Sequence, residues 1–417
     1  MPDTTTLPQH APSPRELDDL ELLGHGALAP LTGFEGPDGL VTLHVPADVA
    51  AAATAAGGLE LVDPEGVPLA TVNVESVYDV DGGSGDVVGV AGPVEPITHN
   101  EFGAFRRLFL SPTQVREEYG DRAVTVPVAG PLTAGDLDHL RARAGDAPVV
   151  LLTLVGTDTP DLPAPALIRA TLRAAEHLDD AHVVAVPLAS RGDAALDHEL
   201  GARVVEAYAP ADVVAVTGEG DLPLDVQEIV DAALPGPDEQ GLVLFFTGLS
   251  GSGKSTLARA LHDVVLERGE RTVTSLDGDV VRRNLSKGLT FSKEDRETNI
   301  RRIGWVAAEI ARHGGVAICS PIAPFDATRR QVRAMVEDAG GAFVLIHVAT
   351  PLEECERRDR KGLYAKARRG EIPEFTGISS PYEEPQDAAV RVDTTGRTIE
   401  DALEDVLAHL RGEGYLA

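Results

Sequence analysis

The stretch Gly248-Leu-Ser-Gly-Ser-Gly-Lys-Ser255 fits the pattern G-x-x-x-x-G-K-[ST] of a phosphate-binding loop. The apolar run 242–247 before it predicts a buried strand, and apolar residues at helical spacing after it predict a helix that stops at Gly269. In this setting the backbone N–H groups of the loop and the dipole of the helix attract a polyphosphate. The sequence therefore predicts a nucleoside triphosphate site.

Two side chains of this loop have chemistry of their own. Lys254 supplies positive charge to the β and γ phosphates, and the hydroxyl of Ser255 can ligate Mg²⁺. The residues expected to hold ATP are Gly248, Leu249, Ser250, Gly251, Ser252, Gly253, Lys254, Ser255 and Thr256.

Composition limits the class of protein. A chain of 417 residues with 43% apolar residues can form two or three packed domains. It has no apolar stretch long enough to span a membrane, and its first residues lack the basic and apolar regions of a signal peptide. Because Cys319 and Cys355 are its only cysteines, a disulfide framework is not expected. We therefore expect a cytoplasmic protein.

Charge is distributed unevenly along the chain. Residues 1–240 contain 40 acidic residues, 11 arginines and no lysine, a net charge of −29, whereas residues 241–417 have a net charge of −2. A surface this acidic repels nucleic acids and anionic membranes, so neither is an expected partner. It also argues against a phosphate- or sulfate-handling site in the first part, where a solvated, solubilising surface accounts for most of the charge.

Composition also predicts the domain boundaries. A proline- and glycine-rich stretch at 235–241 resembles a linker, and a second, less marked domain boundary is predicted at 92–96. Residues 40–93 alternate short apolar runs with turn residues, which predicts a β-rich domain over residues 1–98. Residues 101–235 alternate helical patterns with buried-strand runs, which predicts an α/β domain with a parallel sheet over residues 99–237. Residues 238–417 are expected to form a second α/β unit around the phosphate-binding loop.

Other features of the last domain point to its ligand-binding edge. Asp277 and Asp279 follow a predicted strand at 272–276, and carboxylates at such strand ends face the ligand crevice of an open α/β sheet. A long helix is predicted at 295–313. Seven basic residues in the glycine-bounded segment 357–369 are consistent with a loop-like, mobile lid over phosphates, or with a solvated charged helix.

Several motifs in this domain resemble those of the adenylyl-sulfate kinase (APS kinase) family. They are Leu276-Asp-Gly-Asp279, Phe291-Ser-Lys-Glu-Asp-Arg-Glu-Thr-Asn-Ile-Arg-Arg302, Lys361-Gly-Leu-Tyr364 and Gly370-Glu-Ile-Pro-Glu-Phe-Thr-Gly-Ile378. The resemblance covers about the last 175 residues. It implies a P-loop kinase domain, with a parallel sheet flanked by helices, that transfers the γ-phosphate of ATP to the 3′-hydroxyl of adenosine 5′-phosphosulfate (APS).

The resemblance also implies roles for individual residues. Lys254, Mg²⁺ and the basic segment would neutralise charge during phosphoryl transfer. Asp277 and Asp279 would organise the shell of the metal, which Ser255 and Asp279 ligate, and accept the hydroxyl proton. The family's substrate-binding residues match Arg282, Arg296 and Asn299 for the phosphosulfate and nucleotide, Phe291 and Phe375 for an adenine sandwich, and Ile322 and Lys361 nearby.

The chain departs from the family pattern at three positions. Val280 replaces a common asparagine, and Pro321 lies in the variant stretch 320–325. Ala323 replaces a serine sometimes assigned as a phosphoserine intermediate, so that covalent route is impossible here. Direct in-line transfer needs no such serine.

The first part of the chain resembles ATP sulfurylase more faintly. The similar segments are Leu17-Asp-Asp-Leu-Glu-Leu-Leu23 and Gly26-Ala-Leu-Ala-Pro-Leu-Thr-Gly-Phe34, and the likeness continues weakly to about residue 220. It implies a β-rich, PUA-like domain followed by a sulfurylase-like α/β domain.

The sulfurylase signature Gln-x-Arg-Asn-Pro-x-His-x-x-His is not retained. It aligns with residues 127–136, where Thr133 and Asp136 replace the two histidines, and a later Gly-Arg-Asp-His-Ala-Gly motif aligns with residues 217–221. We therefore expect an inert scaffold that serves oligomerisation, stability or docking, in a chain that forms a homo-oligomer.

The sequence leaves other functions open. A regulatory protein could bind APS or its phosphorylated product without turnover, and an active first part would make the chain a bifunctional sulfurylase and kinase. A kinase that acts on another hydroxyl, such as that of a sugar, is compatible with Val280 and Pro321. Intact Lys254, Ser255 and the two aspartates favour an active APS kinase.

Overall fold

The structure is a computed structural model that describes residues 7–80, 85–98, 102–159, 162–209, 212–290 and 292–416. The chain divides into two compact units, Met1–Leu234 and Pro235–Ala417, and the division falls at the start of the proline- and glycine-rich stretch 235–241. Within these described ranges, no helix combines the length and apolar composition that crossing a bilayer requires.

The first sheet of unit 1 is mixed and is organised around one long strand. Among the described residues it has seven strands in the order β1-β4-β5-β7-β2, and β3 and β6 also pair with β7. Strand β7 changes partners at Gly92, whose φ of 153° and close approach to the Asn73 carbonyl leave no room for a side chain. The strands are β1 Gln9–His10, β2 Gly33–Phe34, β3 Leu43–Pro46, β4 Leu59–Val62, β5 Pro68–Val72, β6 Ser76–Asp79 and β7 Val87–Pro96.

The second sheet of unit 1 is parallel, as the alternating strand and helix pattern predicted. Its described strands have the order β10-β9-β8-β11 and are β8 Val124–Val128, β9 Val149–Leu154, β10 Ala181–Val186 and β11 Asp212–Val213. The helices of the unit are α1 Pro14–Gly24, α2 Ala47–Ala56, α3 Pro112–Tyr119, α4 Ala134–Ala144, α5 Ala164–Ala175, α6 Ala194–Tyr208 and α7 Leu224–Ala233, with a 3₁₀ turn at Arg106–Leu108.

The two sheets of unit 1 share a hydrophobic core. Leu43 and Val72 from the first sheet lie in the same buried cluster as Val150 and Val184 from the second. Burial of this common apolar surface joins the two halves into one unit. The division into separate domains at residue 98, and the PUA-like assignment of the first, stay predictions.

Unit 2 is built on a fully parallel sheet. Its five described strands have the order β13-β14-β12-β15-β16 and are β12 Leu242–Thr247, β13 Val273–Leu276, β14 Val316–Cys319, β15 Ala342–Val348 and β16 Val390–Val392. Its helices are α8 Lys254–Arg268, α9 Gly278–Asn284, α10 Lys293–Arg312, α11 Asp326–Asp338, α12 Leu352–Arg358, α13 Leu363–Arg368 and α14 Ile399–Gly412. Helices α8 and α14 cover one face of the sheet, and α10 and α11 cover the other. This confirms the predicted P-loop architecture.

The basic segment 357–369 is largely helical, as the alternative of a charged helix predicted, and is not the loop that its glycines favoured. It contains the end of α12 and all of α13. Glu354 holds Arg357 and Arg358 at helical spacing, and the Asp359 carboxylate accepts hydrogen bonds from backbone N–H groups in the first turn of α13. These local pairs explain the helices.

The stretch 127–136, which the sequence analysis aligned with the sulfurylase signature, contains a helix cap. Thr133 caps α4: its hydroxyl accepts from the Asp136 N–H at 3.1 Å, while the Asp136 carboxylate accepts from the Thr133 N–H at 3.0 Å. The other oxygen of Asp136 accepts from the Thr217 N–H at 2.9 Å. Burial favours a raised pKa for Asp136, but the hydrogen bonds from Thr133 and Thr217 outweigh it and lower the pKa.

Replacing Asp136 with Ala should destabilise unit 1 by about 2–3 kcal/mol, because it removes a helix cap and leaves buried donors unpaired. Urea unfolding at pH 7 measures the effect. Asp138→Ala is the control, since the side chain of Asp138 is 78% exposed on the same helix.

Because the pKa of Asp136 is lowered by folding, its contribution to the free energy of unfolding should be present at neutral pH and should disappear as the pH falls through that lowered pKa. Equal losses in the two variants would contradict the assignment.

Candidate active site

The five strands described in unit 2 all end at the same edge of the sheet, and residues that follow them lie there. The phosphate-binding loop follows β12, Asp277 follows β13 and Ser320 follows β14, while Thr350 and Thr394 follow β15 and β16. Parallel strands place their carboxyl ends at the same edge, where open α/β sheets bind ligands. The site therefore assembles from segments that are far apart in sequence.

The phosphate-binding loop has the backbone shape that its glycines allow. Gly248 has a φ of 145°, and a Cβ there would lie 2.4 Å from the Val348 carbonyl oxygen. Gly253, with a φ of 106°, precedes the first residue of α8. The loop thus leads directly into a helix N-terminus, whose unpaired N–H groups and dipole favour an anion.

Hydroxyl groups from three other segments brace this loop. Thr350 and Thr394 donate to the Ser252 carbonyl at 3.0 and 2.8 Å, and the Tyr364 hydroxyl donates to the Ser250 carbonyl at 2.8 Å. Thr350 and Thr394 belong to none of the motifs that stand out in the sequence. Each follows the end of a strand as Asp277 does, and that position could have revealed them.

The Lys254 ammonium is held inside the loop. Its side chain is 6% exposed, and Nζ donates to the Leu249 carbonyl at 2.6 Å. Burial lowers the pKa of Lys254 to about 8, and the positive charge of Lys361 adds to this shift. An incoming polyphosphate can replace the carbonyl as partner and restore the protonated form.

A cavity of about 850 Å³ lies beside the loop and collects most of the predicted residues. The predicted residues that line it are Ser250, Gly251, Gly253, Lys254, Ser255, Thr256, Asp277, Arg282, Arg296, Asn299, Ile322 and Lys361.

The remaining predicted residues do not line this cavity or are not described in full. Gly248, Leu249 and Ser252 belong to the loop but are not lining residues. The Phe375 ring packs edge-on against the Tyr364 ring, with 5.0 Å between the ring centroids. Phe291 lies outside the described residues, and only the backbone of Asp279 is described. The adenine sandwich stays a prediction.

The lining of the cavity is strongly basic in an acidic protein. Eight lining residues are basic and three are acidic, although the whole chain has a net charge of −31. The basic residues are Lys254, Arg282, Arg296, Arg357, Arg358, Arg360, Lys361 and Arg397, and the acidic ones are Asp277, Glu354 and Asp359. Such an excess of positive charge in a concave site attracts anionic ligands.

Helix α10 presents two polar groups that lack protein partners. The Asn299 amide oxygen and the Arg296 Nε are buried without a hydrogen bond among the described residues, although the Arg296 guanidinium donates to Thr376 at 3.0 Å. A buried polar atom without a partner costs free energy, and a ligand in the cavity can supply the missing bond. These atoms mark the part of the cavity lined by α10 as a candidate binding surface.

The loop after β14 forms another wall and includes two of the three departures from the family pattern, Pro321 and Ala323, whereas Val280 lies on α9. Pro321, Ile322 and Ala323 line the cavity, and Ala323 has a φ of 44°. The Thr247 hydroxyl donates to the Ile322 carbonyl at 2.6 Å, and Arg329 donates to the Ala323 carbonyl at 2.8 Å. Buried donors therefore hold this loop in place.

The donor set fits a hard divalent cation. Ser255 and Asp277 bring a hydroxyl and a carboxylate to the cavity, and Mg²⁺ prefers oxygen ligands of this kind together with substrate phosphates. Bound there, Mg²⁺ would neutralise phosphate charge.

The sequence profile of the adenylylsulphate kinase family matches residues 240–393. Through this segment the chain belongs to the adenylylsulphate kinase family. The match includes the phosphate-binding loop and all the predicted substrate residues of α10 and the segments after it, which confirms the resemblance seen in the sequence.

Solved structures extend the comparison. A hexameric APS kinase from Thiobacillus denitrificans is 28% identical, and the match covers 99% of this chain and 94% of that chain with a TM-score of 0.76. The APS kinase of Mycobacterium tuberculosis, solved with AMPPNP and APS, is 42% identical over 41% of this chain and 98% of that chain, with a TM-score of 0.40.

Curated relatives match less than half of this chain. A sulfate adenylyltransferase of Neosartorya fischeri is 47% identical over 191 residues, which is 46% of this chain and 33% of that protein. The chain thus spans about a third of the length of this relative.

Binding of MgADP should take up about half a proton at pH 8, because Lys254, with a pKa near 8, becomes fully protonated beside phosphate. Titration calorimetry in buffers of different ionisation enthalpy measures this uptake. It should vanish near pH 6, where Lys254 is already charged, and affinity should fall as the pH rises above 8.

Lys254→Arg is the matched control for this titration, because a guanidinium stays protonated throughout the range. Its proton uptake at pH 8 should be close to zero. The same uptake in wild type and Lys254→Arg would show that Lys254 is not the titrating group.

Proposed function

We propose that this chain is an adenylyl-sulfate kinase, which phosphorylates the 3′-hydroxyl of APS with ATP and Mg²⁺ to give 3′-phosphoadenosine 5′-phosphosulfate (PAPS) and ADP. One observation carries the proposal: a single basic cavity joins the phosphate-binding loop to the polar groups of α10 and to Asp277. A kinase needs both substrates in one enclosed space, because phosphoryl transfer depends on positioning and charge neutralisation.

The donor half of the cavity suits the triphosphate of ATP. The loop and the N-terminus of α8 supply backbone N–H groups, and Lys254 would contact the β and γ phosphates once it leaves the Leu249 carbonyl. Arg358 lies beside the loop, where it donates to Thr394 at 2.8 Å. These groups would stabilise the charge that develops on the transferred phosphoryl group.

The acceptor half suits APS. Arg282 and Arg296 would contact the phosphosulfate, and the unpaired Asn299 oxygen would accept from the nucleotide. Asp277 would orient the 3′-hydroxyl and take its proton, together with Asp279. Because Ala323 has only a methyl group, the phosphoryl group would pass directly between the substrates.

Unit 1 would act as a scaffold. The positions where sulfurylases have histidines are occupied by the cap residues Thr133 and Asp136, which are 1% and 4% exposed. Such buried, mutually bonded groups do not present cations to an anionic substrate. The whole-chain similarity to a hexameric APS kinase supports a homo-oligomer. Two buried free thiols, Cys319 and Cys355, fit a reducing cytoplasm.

The full chain with ATP, Mg²⁺ and APS should form ADP and PAPS in equal amounts, measured by a coupled assay and by chromatography. Lys254→Ala should slow turnover by about 10²–10³-fold, the usual cost of losing a transition-state charge contact. Gluconate is the control acceptor for a sugar kinase. Faster turnover with gluconate than with APS would reject the substrate, and tight APS binding without any turnover would favour a regulatory protein.

The chain should not make APS from ATP and sulfate. That reaction joins two anions, and residues 1–240 have a net charge of −29 and no lysine. The test uses the full chain carrying Lys254→Ala, with pyrophosphatase present, and measures phosphate released from pyrophosphate. Release that depends on sulfate would make the chain bifunctional.

A further inference from the structure

Helix α11 carries a buried cation in its first turn. The Arg329 side chain is 2% exposed, although a guanidinium stays charged in a folded protein. The Asp326 carboxylate, 3.3 Å from one of its terminal nitrogens, also pairs with the exposed Arg330. Because removing a charge from water costs free energy, stability alone gives little reason for this placement.

The two terminal nitrogens of Arg329 connect separate parts of the chain. One donates to the Ala323 carbonyl at 2.8 Å, in the loop after β14, and the other donates to the Glu383 carbonyl at 2.9 Å. Glu383 adds two bonds of its own: its N–H donates to the Pro324 carbonyl, and its carboxylate accepts from the Asp326 N–H, both at 2.8 Å. Arg329 therefore lies where this loop meets the segment that contains Glu383.

The segment 374–383 reaches another wall of the cavity at its other end. There Arg296 of α10 donates to the Glu374 carbonyl at 3.2 Å and to the Thr376 hydroxyl at 3.0 Å. Arg296 and Thr376 both line the cavity. Release of the segment from Arg329 would thus loosen the partners of Arg296, which we assign to the phosphosulfate of APS.

Backbone conformation marks both ends of this connection. Among the described residues of unit 2, Ala323 and Glu374 are non-glycine residues with a left-handed backbone, at φ of 44° and 54°. Such angles are uncommon for residues with a side chain and persist where surrounding contacts hold them. Arg329 donates to the carbonyl of the first residue, and Arg296 donates to that of the second. Each arginine therefore helps to hold a strained turn next to the cavity.

The phosphate-binding loop is held by other groups. Thr350, Thr394 and Tyr364 donate to its carbonyls. The described hydrogen bonds of Arg329 go instead to the loop after β14, to its own helix and to Glu383. A change at Arg329 should therefore affect the acceptor substrate more than the nucleotide.

We propose that Arg329 is a positioning residue for the acceptor substrate, which fixes the loop after β14 against segment 374–383 so that both enclose APS. It acts through the Ala323 and Glu383 carbonyls and is not itself a lining residue of the cavity. The inference rests on the proposed kinase function, since it assigns APS to the part of the cavity that these segments line.

Titration calorimetry of the full chain saturated with MgADP, with APS as the titrant, tests this role. Arg329→Met should raise the APS dissociation constant by about tenfold or more, the effect of losing hydrogen bonds from a charged donor, and should leave MgADP affinity within about twofold. Arg330→Met is the matched control, because Arg330 is 75% exposed on the same helix, and it should bind both ligands like the wild type. Arg329→Lys should bind APS with intermediate affinity, because one ammonium nitrogen replaces two guanidinium nitrogens.

A second pair of variants leaves the buried guanidinium in place. Glu383 and Glu384 are both exposed, so neither substitution should impair folding. Glu383→Ala removes the hydrogen-bond partner of the Asp326 N–H and should weaken APS binding by about threefold or more. Glu384→Ala is its control and should bind APS like the wild type.

The outcomes separate this role from the proposed function. Wild-type APS affinity in Arg329→Met and Glu383→Ala would overturn the inference and leave the proposed function in place. Equal losses of APS and MgADP affinity in Arg329→Met would show a general structural role and would overturn it as well. If Arg329→Met does not fold, Glu383→Ala against Glu384→Ala decides. If the wild type itself binds no APS, the proposed function fails together with the inference.

Discussion

The parallel direction of the five strands in unit 2 is the constraint on which the site depends. Because every strand ends at the same edge, segments that follow β12, β13, β14, β15 and β16 meet around one cavity. The hydroxyls of Thr350 and Thr394 then reach the Ser252 carbonyl and fix the phosphate-binding loop. No single segment could provide both the loop and its supports.

The two parts of the chain differ in the sign of the charge that they present to a ligand. The acidic charge of residues 1–240 is poorly suited to binding anions, which supports the scaffold role proposed for that part of the chain. The cavity of unit 2 concentrates positive charge. Because burial lowers the pKa of Lys254, binding of an anionic ligand restores the protonated form of its ammonium group. The reaction proposed for unit 2 joins two polyanionic substrates, and the positive charge that lines its cavity offsets their repulsion.

The sequence predicts the features that depend on local pattern. Periodicity and spacing predict the strand at 242–247, the helix α8 that ends before Gly269, and the position of Asp277 at a strand end. The positions of Thr350 and Thr394 after strand ends can be read from the sequence, but their contact with the Ser252 carbonyl depends on which strands become neighbours. The sequence left segment 357–369 open between a lid-like loop and a charged helix, and the structure has helices there because Glu354 and Asp359 stabilise α12 and α13.

The central claim is that ATP and APS occupy one cavity and that phosphate passes directly between them. The stereochemistry at phosphorus, followed with ATP made chiral at the γ-phosphate by oxygen isotopes and sulfur, tests it most directly. A single in-line displacement should give PAPS with inverted configuration, because Ala323 cannot carry a phosphoryl group. Retention of configuration would require a covalent enzyme intermediate and would contradict the account.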